Sequence, residues 1–232
     1  MFYYLSDWTY WVFIIPCIII SSICSARVNS AYSKYSKILN SRSMTGADAA
    51  RWVLQKNGVT GVRIEMVSGK LSDHFDPRTN VIRLSEGVYG AATVAAVGIA
   101  AHEAGHAVQH AEGYLPNKIR GILVPAANIG SKLGWILIII GLVLPVQYSV
   151  VLTVGLAFYS LSVLFTVVTL PVEFNASHRA LACIRETNLL REDEYNGVKK
   201  TLSAAAMTYV AATLTAVMQL LRLVLLTSRR RN

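Results

Sequence analysis

Cysteine is scarce in this chain, with Cys17, Cys24 and Cys183 the only three. An odd count with two members in one apolar run excludes a disulfide framework and a cysteine-built zinc knuckle. Any metal must then rest on histidine and carboxylate. Acidic residues are thin as well, 13 against 22 basic ones, and charged residues make up only 15% of the chain. The net charge of +9 would suit nucleic acid. The basic residues, however, are scattered between apolar segments with no aromatic and basic stripe, so no nucleic-acid partner is expected. Residues 1–7 hold no Lys or Arg, so the basic start of a cleavable signal peptide is missing. The apolar stretches 121–146 and 150–170 contain no Asp. That argues against a protease cutting within the bilayer, and polar groups in these stretches are too sparse for a transporter.

What is abundant is apolar surface. Hydrophobic residues make up 53% of the 232, and the mean hydropathy is +0.44. Such a balance points to membrane spans and to the lipid bilayer as a partner. The run 8–26 is long enough to cross a bilayer and reads as an uncleaved anchor, with Trp8, Tyr10 and Trp11 at an interface and Pro16 as a kink. Residues 27–120 form the largest polar stretch. Within it 30–39 reads as a juxtamembrane helix, and Thr45 is a good N-cap for a short helix over 47–56 that Gly58 stops. Segments 62–66 and 81–84 alternate like strands, and the turn between them carries Asp73, His74 and Asp76, expected to satisfy its own backbone. Residues 121–130 and 133–146, a short uncharged loop, and 150–170 read as a transmembrane hairpin. Polar character returns over 172–202, and 203–232 holds a last hydrophobic helix, broken by Arg222, with a basic tail.

Chemistry concentrates in one place. His102 and His106 stand four apart, so a helix puts both imidazoles on one face, and Glu103 is turned about 100° from the first. This is the H-E-x-x-H pattern, in which two neutral imidazoles bind Zn²⁺ and the glutamate serves as general base. The preceding residues 91–101 are small and apolar, and ionisable groups at the end of such a helix are costly unless a metal or partner compensates them. Gly105 inside the motif leaves room for another backbone or a substrate to approach closely. A catalytic zinc needs a third protein ligand. Position 112 is Glu112, so the metzincin spacing with a third histidine is absent. His110 and Glu112 lie too far along the helix. Glu173, expected in the first turn of a helix opened by Pro171, is the best candidate, with Ser177 one turn on as a hydrogen-bond partner for a ligand histidine. The segment 81–84 is expected at a sheet edge beside the zinc helix, so Val81, Ile82, Arg83 and Leu84 are candidates for holding an extended peptide. His74 and His178 are candidate oxyanion donors.

Four segments together, Leu-Ser-Asp-His-Phe-Asp-Pro at 71–77, Arg-Leu-Ser-Glu at 83–86, Ala-Ala-His-Glu-Ala-Gly-His-Ala-Val-Gln at 100–109 and Pro-Val-Glu-Phe-Asn-Ala-Ser at 171–177, resemble the bacterial neutral zinc metallopeptidases of the YugP-like group. The chain is similar, more distantly, to the membrane gluzincins. The resemblance implies a zinc-dependent endopeptidase with His102, His106 and a downstream glutamate as ligands. In the wider gluzincin pattern an aspartate often follows the ligand glutamate by four residues; here that position is Ser177.

The expected fold is a mainly α membrane protein, transmembrane helices joined to a small α+β zincin-like region with a short β-hairpin or sheet beside the zinc helix. The expected parts are an anchor at 1–26, a catalytic region at 27–120, a hairpin at 121–171, a ligand-bearing helix at 172–202 and a C-terminal helix and tail at 203–232. The expected activity is hydrolysis of membrane or membrane-proximal proteins; a zinc-stabilised scaffold without catalysis is the alternative. A protein or peptide substrate is expected, and a membrane protein or a second copy are candidate partners. Arg27, Lys34 and Lys37 follow the anchor, which puts the zinc site on the cytoplasmic side and leaves 203–227 packed in the bundle or near the surface.

Overall fold

The computed structural model describes residues 8–231. Residues 1–7, counted with the anchor above, lie outside the described residues, as does Asn232. The protein is mainly α, with helices α1 (Trp8–Tyr35), α2 (Gly46–Lys56), α3 (Glu86–Tyr89), α4 (Val94–Ala111), α5 (Leu115–Val143), α6 (Ser149–Glu186) and α7 (Glu192–Arg231) and one small sheet. Four of them, α1, α5, α6 and α7, are long and apolar enough to cross a membrane. The chain divides into two compact units.

Among the described residues, unit 1 takes 8–23, 118–170 and 208–231. Its packing rests on small residues, since without a hydrophobic drive between helices in lipid, close backbone approach supplies the attraction. A Cβ at Gly134 would stand 2.9 Å from the backbone nitrogen of Tyr159, and one at Gly155 would stand 2.8 Å from that of Ile138. Gly130 meets the carbonyl of Phe158 in the same way. These contacts zip α5 onto the first half of α6 and bury Ile138 and Leu152 between them. The segments 121–130 and 133–146, read separately above, are therefore parts of one helix whose glycines serve packing.

Unit 2 takes residues 24–117 and 171–207. Helix α2 begins as expected at Thr45, whose hydroxyl accepts from the Asp48 amide at 3.2 Å while the Asp48 carboxylate reaches back, a capping box. Gly58 follows its end with a φ of 65°, a conformation costly for a side chain. The strands are β1 (Arg63–Val67), β2 (His74–Asp76) and β3 (Val81–Ser85), in the order β1-β3-β2. β3 runs parallel to β1 and antiparallel to β2. Two expectations are corrected here. The segment 71–78 contains a strand as well as turns. And Val81, Ile82, Arg83 and Leu84 lie in the middle of the sheet rather than at its edge: Val81, Ile82 and Leu84 are fully buried, as a strand covered on both faces requires, and both sets of backbone groups are engaged. They are not free to pair with a peptide.

Helix α4 is the axis of unit 2. Thr93 caps it, and its small residues, Ala95, Ala96, Ala100, Ala101 and Ala104, are buried among α2, the sheet and the helices that flank it. It stops at Ala111, where Gly113 takes a φ of 68°. A further correction concerns Pro171. It does not open a helix but lies within α6, so Glu173 is mid-helix and cannot serve as a cap for the helix dipole. A proline removes one main-chain bond and jostles one carbonyl, a loss that a long apolar helix absorbs. The α7 start is tied down by Glu194, whose buried carboxylate accepts from the Ser41 amide at 2.7 Å, the Ser41 hydroxyl at 3.0 Å and the Arg191 amide at 3.0 Å.

Candidate metal centre

Helical spacing on α4 sets His102 above His106 with ring centroids 4.7 Å apart and the planes nearly perpendicular. Helix α6 supplies the third group. Oε2 of Glu173 lies 3.3 Å from Nε2 of His102 and 3.5 Å from Nε2 of His106. One ligand atom from each of the three falls within 4.8 Å of the others, a set able to hold a metal ion. The two helices approach this closely because of Gly105, where a Cβ would stand 2.7 Å from the carbonyl oxygen of Ala176. Gly105 sits between the histidines, and Ala176 sits between Glu173 and Ser177.

The far side of each ring decides how it is turned. Nδ1 of His102 is 3.1 Å from the Ser177 hydroxyl, the partner expected from the sequence. Nδ1 of His106 is 3.1 Å from Oε1 of Gln109. The Gln109 amide nitrogen already donates to the Val172 carbonyl at 2.8 Å and to Oδ1 of Asn175 at 2.9 Å. Its oxygen must therefore face His106 and accept, which puts the ring proton on Nδ1 and leaves a bare lone pair on Nε2. That lone pair points to a carboxylate oxygen. Two electron-rich atoms face each other only when a proton or a cation lies between them, and two imidazoles with one carboxylate are a zinc donor set. The residues fit the ion.

Electrostatics agree. Burial opposes a charge on His106, but the protonated ring would hydrogen-bond Glu173 and meet the charges of Glu103 and Glu173, which outweigh burial, so the ring titrates above the ordinary imidazole range and positive charge is favoured at this point. Glu103 itself is buried, with 9% of its surface exposed.

The other sequence candidates fall elsewhere. Glu112 is bound by Arg179 at 2.7 Å, and His110 lies against the ring of Phe75 with centroids 5.7 Å apart. Asp76 accepts from the Arg78 amide and Thr79 and so holds its own turn as expected, with Arg83 of β3 added, whereas Asp73 accepts from the Ser85 amide and hydroxyl and ties the segment to the end of β3. His74 and His178 are exposed. Gln109 was not singled out by sequence reasoning. The available signal was a polar residue three places after His106, on the same helix face.

The family model described as "Putative neutral zinc metallopeptidase" matches residues 10–228 of the chain. The Bacillus subtilis protein described as "Putative membrane protease YugP" is 44% identical over 200 residues, covering 86% of this chain and 88% of its own. No solved structure matches.

Proposed function

The chain belongs to the neutral zinc metallopeptidase family, and from that premise we propose that it is a zinc-dependent endopeptidase of membrane or membrane-proximal proteins. The observation that carries this reading is the meeting of Nε2 of His102, Nε2 of His106 and Oε2 of Glu173, with the buried Glu103 next to His102 in the chain and its charge felt at His106. These three would hold the ion. Zinc in such a setting lowers the pKa of a bound water to about 7 and polarises a carbonyl oxygen. Glu103 takes a proton from the attacking water, whose oxygen joins the peptide carbonyl carbon. The C–N bond breaks, and Glu103 hands that proton to the departing nitrogen. Ser177 and Gln109 keep the rings in the ligand orientation.

The outer side of β2 replaces β3 as the holder of an extended substrate, since β2 bounds the sheet and its Phe75 contacts His110 of the zinc helix. The basic residues Arg27, Lys34 and Lys37, and those from Arg179 to Lys200, all belong to unit 2. The positive-inside bias then favours a cytoplasmic metal centre. If α7 crosses fully, as its length permits, the terminal arginines go against this bias, a small block set against a much larger one.

The test is proteolysis of casein or a denatured membrane protein by the purified full chain. Zinc should be present in equal proportion to protein, and a chelator should abolish cleavage. Glu103→Gln should keep the zinc and lose about 10²–10⁴-fold in rate. A zinc-loaded Glu103→Gln protein as fast as the parent would leave only a scaffold role.

A further inference from the structure

Unit 2 carries a groove of about 430 Å³ that does not involve the metal centre. Cys24 and Arg27 of α1 line one wall, and Lys199, Lys200, Ala204 and Met207 of α7 line the other. Positions 200, 203, 204 and 207 share one helix face, as do 24 and 27. Three cations from two helices thus meet an apolar lining in one concavity. Among the described residues, Arg27, Lys199 and Lys200 make no ion pair with an acidic side chain.

The place of these residues along the chain is as telling as their chemistry. Residues 8–26 of α1 carry no charge, and Arg27 is the first basic residue after them. Residues 201–221 of α7 carry none either, and Lys199 and Lys200 come directly before them. Both helices are candidate membrane spans. The groove therefore sits where each helix passes from an uncharged stretch into a charged one that begins with basic residues, the level of lipid headgroups. Isolated basic residues at such a level simply snorkel to water. Here they converge on a cavity whose other lining joins the polar Asn196 and Ser203 to an apolar part, Cys24, Ala204 and the half-exposed Met207, that is suited to hydrocarbon.

We infer that this groove binds one anionic phospholipid, its phosphate on Arg27, Lys199 and Lys200 and the start of an acyl chain against Cys24, Ala204 and Met207. A free phosphate would use the cations but leave the apolar wall without a partner, so the lipid is the ligand that fits both. The site is separate from the zinc centre and stands or falls independently of the proteolytic reading.

The full chain, reconstituted in phosphatidylcholine bilayers with a trace of spin-labelled phosphatidylglycerol or spin-labelled phosphatidylcholine, tests this by the motionally restricted fraction of each label. The parent protein should restrict the anionic label several-fold more than the neutral one. Arg27→Gln, Lys199→Gln and Lys200→Gln should each lower that preference by up to about fivefold, and the triple variant should abolish it. Ser203→Phe fills the groove while keeping every charge, and should abolish it too. Should the triple variant fail to insert, the single variants and Ser203→Phe carry the same reading. Equal restriction of both labels by the parent protein would overturn the inference. So would a preference that survives Ser203→Phe, which would reveal diffuse attraction, and so would displacement of the anionic label by inorganic phosphate at constant ionic strength.

Discussion

The Ser177 hydroxyl lies 3.1 Å from Nδ1 of His102, one turn along α6 from the carboxylate that faces the same ring's Nε2. One helix thus grips both edges of one imidazole. A hydroxyl orients the ring but adds less basicity than a carboxylate would. Ser177→Ala should lower zinc affinity about tenfold without unfolding the protein. Competition against a chromogenic chelator measures this, and an unchanged affinity would mean that packing alone turns the ring.

Gln109 has a heavier task, because its fully buried amide serves His106, Val172 and Asn175 at once. Gln109→Leu removes the acceptor for the His106 Nδ1 proton and the donor to the Val172 carbonyl and to Oδ1 of Asn175, which Arg179 Nε still reaches at 2.7 Å. The orphaned His106 Nδ1 proton alone costs about 1–3 kcal/mol. The variant should therefore lose thermal stability even after zinc is removed, and should lose about 10–100-fold in zinc affinity. Melting of the chelated protein separates the two effects, since Ser177→Ala should leave that melt nearly unchanged.

These two partners differ in how readable they are from sequence, and the reason is range. His102, Glu103 and His106 stand out because their relation is a local helical spacing, and Thr45 stands out because a cap is built within four residues. Glu173 and Ser177 were reachable because the same spacing recurs on a second apolar helix. Gln109 was hidden because what it binds, Val172 and Asn175, belongs to that other helix. Strand β3 was misplaced for a related reason: Val-Ile-Arg-Leu shows its polar Arg83 but does not show that neighbours cover both edges. Pro171 misled because its usual meaning holds for helices in water, whereas α6 is long and apolar enough to continue through it.

Gly105 offers a test of how closely the helices must meet. In Gly105→Ala the new methyl would press on the Ala176 carbonyl, a backbone atom that cannot rotate away. Relief requires α6 to move from α4 by several tenths of an ångström, carrying Glu173 and Ser177 with it. Zinc affinity should fall by at least about tenfold, the scale on which disturbed ligand positions act. Gly98→Ala is the control on the same helix. Its methyl would meet a side-chain atom of Val198 at 2.9 Å, on α7 rather than on the ligand-bearing α6, so zinc affinity should hold whatever the cost in stability. Equal loss in both variants would point to general destabilisation instead.

The capping box of α2 gives a pH-dependent prediction away from the metal. The Thr45 hydroxyl donates to Oδ2 of Asp48 at 2.6 Å, and Arg51 pairs with Oδ1 at 2.7 Å. The Thr45 hydroxyl is the main cause of a lowered Asp48 pKa; slight burial works against it, and the Thr45 amide and Arg51 add to it. A carboxylate whose folded pKa is depressed contributes stability above its unfolded value, about 3.9, and loses it as the pH falls through the folded value. The Arg51 pair is half exposed and contributes little. Thr45→Ala should therefore cost about 1 kcal/mol at neutral pH, the usual worth of a cap. Below about pH 4 the parent protein gives up the ionic part of that advantage, and the gap between the two should narrow. Melting both proteins in detergent at pH 7 and at successively lower pH checks the sign, and a gap that widens on acidification would show that the ionised Asp48 is not what the threonine supports.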